Sequence, residues 1–104
     1  MKVVWAPLAI ERAVEQARYI AANKPEAGRR WLAGLFASVG KLSKFPQLGR
    51  QVPELARPEF REIDFRGYRV IYRVEKRQVS VLIVRHGRRL LDPTESESVS
   101  RTRL

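Results

Sequence analysis

Between Phe60 and Arg89 the chain threads Arg61, Arg69, Arg73, Arg85, Arg88 and Arg89 among β-branched and aromatic residues, with the single histidine, His86, in the same stretch. A guanidinium is a planar fork whose N–H groups match carboxylate or phosphate oxygens two at a time. Carried on strands, such side chains predict an anionic partner on the sheet. A second chemistry is also open. Histidine is the side chain type suited to proton transfer near neutrality, so a role as general acid or base is open to His86. Each reading has a plainer alternative. Arg69 and Arg73 can pair with Glu62, Asp64 or Glu75 across the strands, contacts worth only about 0.2–1 kcal/mol when exposed. A histidine that ends a strand often serves a backbone carbonyl, and Glu54, in a proline-flanked loop, either takes part in acid–base chemistry or braces the loop.

Composition narrows the field. The chain has 104 residues, enough for one core and too few for two. Lys and Arg together number 21 against 11 acids, a formal charge of +10, and arginine outnumbers lysine 16 to 5. That skew favours forked contacts with anions over a merely solvating surface. Cysteine is absent, which removes disulfides, thiol nucleophiles and thiolate metal sites. With one histidine and no carboxylate cluster of ligand spacing, no metal and no cofactor are expected. Glu11 and Arg12 interrupt the brief apolar run near Met1, so export is not indicated, and no run approaches the roughly 20 apolar residues of a membrane span. A cytoplasmic protein without membrane contact is the expectation.

The elements that must position these residues follow from periodicity. Tyr68–Val74 and Val79–Val84 are apolar runs joined by Glu75-Lys76-Arg77-Gln78, a hairpin pattern, and Arg61–Phe65 meets the first across Arg66-Gly67. Links so short give an antiparallel meander. Strict alternation puts Tyr68, Val70, Tyr72 and Val74 on one face and Arg69, Ile71 and Arg73 on the other, and separates Val79, Val81, Ile83 and Arg85 from Ser80, Leu82, Val84 and His86. Upstream, Lys2–Trp5 reads as an edge strand. Pro7 opens an amphipathic helix to about Ala22, and Pro25 opens a second that ends near Phe45-Pro46. Their short link folds them into an antiparallel hairpin, with Gly28, Gly34 and Gly40 expected where the helices approach closely. Gln47–Pro58 reads as a loop, Arg88–Leu91 as a turn or short helix, and residues 92–104 as a polar, mobile tail. The fold class is therefore α+β, in the order β-α-α-β-β-β, with the helical hairpin on a mainly antiparallel four-stranded sheet. One face of the sheet covers the hairpin and the other is left for a partner.

That order, together with Phe45–Arg50, Val52–Leu55, Phe60–Glu62, Tyr68–Val74 and Val81–Arg89, resembles the RelE/ParE superfamily of bacterial toxins over nearly everything from Lys2 to Leu91. The resemblance implies a single toxin domain over residues 1–91 and a type II toxin–antitoxin module. In such modules the toxin arrests growth, and a cognate antitoxin neutralises it by wrapping a disordered segment over it as a hetero-oligomer. RelE-type members cut messenger RNA on the ribosome, whereas ParE-type members poison DNA gyrase without a known catalytic residue.

Carried over residue by residue, the RelE-type arginines fall on Arg69 and Arg88. The terminal tyrosine of that branch would fall near Thr94 and its two lysines near Phe60 and Glu62, and none of these matches. His86 is left as the one titratable candidate. The wording Val52-Pro53-Glu54-Leu55 and His86-Gly87-Arg88-Arg89 favours the ParE-type branch. The expected antitoxin segment is acidic and amphipathic, seated on exposed apolar residues near Trp31 and on the basic sheet, although Trp5, Trp31, Phe36 and Phe45 are most simply read as core or hairpin-packing residues. Arg61, Arg69, Arg73, Arg85, Arg88, Arg89 and Trp31 are thus the candidates for target or antitoxin contact, and Arg69, His86 and Arg88 the candidates for a nuclease.

Overall fold

The computed structural model describes residues 1–87 and 89–104. In chain order the elements are β1 (Lys2–Trp5), α1 (Pro7–Ala21), α2 (Pro25–Gly40), a 3-10 turn (Lys41–Ser43), β2 (Arg50–Gln51), β3 (Phe60–Phe65), β4 (Tyr68–Val74), β5 (Gln78–His86) and α3 (Pro93–Arg101). No helix among the described residues is long and apolar enough to cross a membrane.

Both hairpin helices start on a proline, where the missing N–H is not needed. Along α1 the buried positions are Ala9, Ala13 and Ala17, a four-residue ladder of methyl groups that lets α2 come near. The two helices approach closely at Gly28, where a Cβ would fall 2.6 Å from the Ala17 carbonyl oxygen and 2.7 Å from the Ala21 Cβ. The other two glycines expected at this seam are elsewhere: Gly34 lies against the Phe65 ring of the sheet and Gly40 faces open space. Trp31, Leu35 and Val39 carry the inward face of α2, and Leu42 continues it in the 3-10 turn. The helix itself stops at Gly40, short of Phe45.

The sheet has five strands in the order β1-β5-β4-β3-β2, one more than the sequence suggested. β1 lies parallel beside β5, and β3, β4 and β5 form the expected antiparallel meander. The extra strand, β2, comes from the loop between the hairpin and the meander, which is pinned against β3. Gly49 N–H donates to the Tyr72 hydroxyl at 2.9 Å, that hydroxyl donates to the Pro46 carbonyl at 2.8 Å, and Arg61 Nη1 donates to the Gly49 carbonyl at 2.8 Å. A Cβ on Gly49 would sit 2.7 Å from the Tyr72 oxygen, so only glycine fits there.

Strict alternation fails along β5. Ile71 pairs with Ile83 but Tyr72 pairs with Val81, which leaves Leu82 as an extra residue, a β-bulge. Val79, Val81 and Val84 therefore join the core under the helices, with Tyr72 and Val70. Leu82 packs on the other face with Phe60 and Ile71, and Ile83 packs against that cluster. Beyond the bulge the phase is reversed, so Arg85 lies opposite Arg69 and His86 opposite Tyr68.

The second face is not open. Val52 from the loop, Leu91 and Val99 complete a second buried cluster there, and Leu55 packs against it. The polar tail is thus corrected to a helix, α3, begun by a capping box in which Asp92 accepts from Glu95 N–H and Glu95 accepts from Asp92 N–H. Pro93 supplies its first turn and Val99 its buried contact. An Asp-Pro-Thr-Glu run is a helix-start signature, and so few apolar residues follow it that composition alone conceals the helix.

Removing the Tyr72 oxygen tests the pinning of the loop. Tyr72→Phe leaves the buried Gly49 N–H without an acceptor and should lower stability by about 1–3 kcal/mol, read as a lower urea midpoint at unchanged slope. A variant as stable as the parent would show that the loop is held some other way.

Candidate functional site

Arg69 is at the centre of the second face, its side chain 5% exposed between Glu54 at 8% and Glu62 at 7%. Glu62 comes from β3 beside it, Glu54 from the loop. Arg69 Nη2 and Nε donate to the two Glu62 oxygens at 2.5 and 3.3 Å, and Nη1 and Nη2 donate to the two Glu54 oxygens at 2.8 and 3.0 Å. The remaining N–H, on Nη1, donates to the Arg89 carbonyl at 3.1 Å. Every guanidinium donor is occupied. Glu54 also accepts the Leu91 N–H at 2.8 Å, and Arg50 reaches Glu62 from solvent at 3.1 Å. The Arg69 hydrogen bonds hold the Glu54 carboxyl down at about 2, against an ordinary 4.5, and the same two carboxylates raise the Arg69 pKa. Removing one partner of a buried pair of this kind typically costs about 3–5 kcal/mol, so Arg69 is a fastening and has no donor left for a phosphate.

The other arginines of the stretch divide between fastenings and surface. Arg73 donates to Glu75 at 3.3 Å and lies over the Phe60 ring, with Nη1 buried and without a partner. Glu75 also accepts from the Ser80 hydroxyl, the main cause of its lowered pKa. Arg85 donates to Glu95 at 2.6 Å and so ties α3 to β5. Arg61 braces Gly49. Arg89 presents its side chain to solvent, and Arg88 lies outside the described residues.

Trp31 is corrected from an exposed contact to a core residue. It is 4% exposed and stands edge-on to Phe65 and Tyr68, with centroids 5.8 and 5.1 Å away. His86 is exposed and rests on the Tyr68 ring at 4.8 Å. It lies on the helix face of the sheet, whereas Arg69 lies on the opposite face. Among the described residues, the nuclease candidates Arg69 and His86 are therefore not brought together: Arg69 is enclosed, its partners are carboxylates, and His86 lies on the other face.

Exposed apolar residues were expected on the hairpin near Trp31 without being placed, and they form an outward stripe on α2. Ala33, Phe36, Ala37 and Gly40 are exposed at three- and four-residue steps, opposite buried Trp31, Leu35 and Val39. Phe45 and Leu48 extend it, and Leu48 borders a cleft shared with Ser38, Lys41, Arg50 and Asp64. The signal was available: no charge occurs from Trp31 to Gly40, and a helix apolar all round has more than one face to cover.

A family model for the ParE toxin of type II toxin–antitoxin systems, parDE, matches residues 3–91. The chain belongs to the ParE toxin family. Among solved structures, the chromosomal ParDE toxin–antitoxin system from P. aeruginosa is similar to it, with a TM-score of 0.71 at 15% identity over 85% of this chain and 97% of that one. At such identity the likeness speaks for the fold. A search of curated proteins by sequence gave no match. The ParE family match ends at Leu91, so α3 lies beyond the matched span.

The Glu54 pKa sets an acid limb for stability. A carboxyl depressed on folding contributes stability above 4.5, and that contribution fades as pH falls from 4.5 toward about 2. Glu54→Gln should be markedly less stable than the parent at pH 7, and the gap should narrow across that window when urea midpoints are compared. A gap unchanged at pH 2.5 would mean that the charge on Glu54 is not what binds the loop.

Proposed function

We propose that this ParE-family toxin arrests growth by poisoning DNA gyrase, acting through contact and without acid–base chemistry of its own. The observation that carries this reading is the separation of Arg69 from His86 onto opposite faces of the sheet, with every Arg69 donor already taken. General acid–base catalysis needs its groups within hydrogen-bond reach of one substrate, and these cannot share one. Among the described candidate arginines, Arg61, Arg69, Arg73, Arg85 and Arg89, the last is the exposed one and is assigned to target contact.

Neutralisation is assigned to a cognate antitoxin. An acidic amphipathic segment fits the α2 stripe: its apolar side chains cover Phe36, Phe45 and Leu48, while its carboxylates meet Lys41 and Arg50 at the rim. Gly40, with open space where a Cβ would stand, lets the partner's backbone come close. A segment disordered when free and ordered on the toxin could cover this surface with a short length of chain.

Purified toxin incubated with DNA gyrase, supercoiled plasmid and ATP should yield protein-linked linear DNA after detergent and protease, and His86→Ala should yield as much. Cleavage of messenger RNA in the A site of translating ribosomes, with no linear plasmid, would overturn the gyrase reading in favour of a nuclease. Independently, Phe36→Asp should weaken antitoxin binding by about 30-fold, the scale of a 2 kcal/mol hot spot, in a titration calorimetry experiment. Unchanged affinity would move the antitoxin off α2.

A further inference from the structure

The cations that dominate the surface charge are not the sheet arginines. Among the described residues every ion pair is made by an arginine, and no lysine takes part in one. Of the 5 lysines, Lys2, Lys41, Lys44 and Lys76 are on segments that meet at one end of the molecule. Lys2 opens β1 in register with Gln78, and Lys76 and Arg77 form the turn that precedes Gln78. The Met1 ammonium donates to the Ser43 carbonyl at 2.8 Å, and the Ser43 hydroxyl donates back to the Met1 carbonyl, so the segment carrying Lys41 and Lys44 is drawn against the start of β1. All of these lysines and Arg77 are exposed.

The acids at this end are already committed. Glu75 is held by Arg73 and Ser80. Glu59, whose carbonyl accepts the Val74 N–H, is held by Arg57 at 2.6 Å. What remains is a band of strongly hydrated point charges contributed by three separate segments. Adjacent strands are about 4.8 Å apart, so Lys2 and the Lys76-Arg77 turn are near neighbours.

We propose that this lysine-rich end binds the phosphate backbone of duplex DNA without regard to sequence. Lysines disposed over several short segments suit phosphates met in succession, because each acts as a point charge that needs no fixed donor geometry. An acidic peptide is the weaker fit, since its side chains need pockets and it would find its apolar cover on α2 instead. The assignment stands apart from the gyrase reading, because it is made and tested with DNA alone.

The test is fluorescence anisotropy with a labelled random-sequence duplex over a series of salt concentrations. Lys2, Lys44, Lys76 and Arg77 neutralising one phosphate each would give a slope of log K against log salt of about −3.6. Lys44→Gln, Lys76→Gln and Arg77→Gln combined should reduce that slope by about 3 and weaken binding strongly at low salt, with an unaltered circular dichroism spectrum. Arg30→Gln with Arg66→Gln, at the other end of the sheet and on the start of α2, should leave affinity and slope as in the parent. The proposal is overturned if the triple variant binds like the parent, if the opposite-end variant loses as much, or if an RNA duplex binds and the DNA duplex does not.

Discussion

A guanidinium buried on the back of a sheet must have its charge answered inside the protein, and Arg69 imposes that requirement on this fold. Desolvating such an ion costs several kcal/mol, and the interior returns it only where geometry is good and every donor is satisfied. Satisfying Arg69 takes one carboxylate from the neighbouring strand, one from a loop without regular structure, and a carbonyl from the segment after β5. Two stretches with little apolar content of their own are thereby fixed on the sheet. Glu54 then also holds the Leu91 N–H, which sets where Asp92 can begin a helix. The exposed pairs on the helix surfaces, such as Arg29 with Glu26, are worth about 0–1 kcal/mol each and decide nothing of this kind.

This use of acids shapes the outside as well. Glu54 and Glu62 are set around one buried arginine, and Glu75 and Glu95 against Arg73 and Arg85, which leaves seven of the 11 acids to face the other 18 lysines and arginines. The net charge of +10 is displayed chiefly by lysines and by arginines off the sheet. The arginine-rich strands are thus not where this basic protein displays most of its charge. The strands hold the arginines because the strands are where carboxylates can be brought to them.

Much of the architecture was legible in the residues. Prolines at helix starts, the apolar period of α1 and the turn between Val74 and Gln78 are local signals, and each element they mark is present. The readings that failed depend on contacts distant in sequence. β2 exists because Tyr72 and Arg61 reach back to Gly49, which no window around residue 50 contains. Trp31 was open to both a core and a contact reading, and only the sheet decides which side of α2 is covered. α3 was hidden by its polarity, although its capping box was readable. Of the candidate site, the identity of the arginines was legible and their orientation was not. Whether a strand arginine faces water or carboxylate is decided by what covers the strand.

The phase of β5 carries this furthest. With strict alternation, His86 would fall on the face of Ser80 and Leu82, and so on the face of Arg69, and a histidine beside an arginine invites a catalytic reading. One extra residue at Leu82 exchanges the two faces beyond it: Arg85 moves to the Arg69 face, where Glu95 holds it, and His86 moves to the helix face, where it meets the Tyr68 ring at a tilt. A bulge relieves a strand that must twist over two clusters at once, and here the apolar residues fix its place, since Val79 and Val81 are needed under the helices while Leu82, Ile83 and Phe60 are needed on the other side. The same packing requirement that builds two cores on one sheet therefore takes the only histidine away from the buried arginine. Arg69 and His86 are thereby left on opposite faces of the sheet.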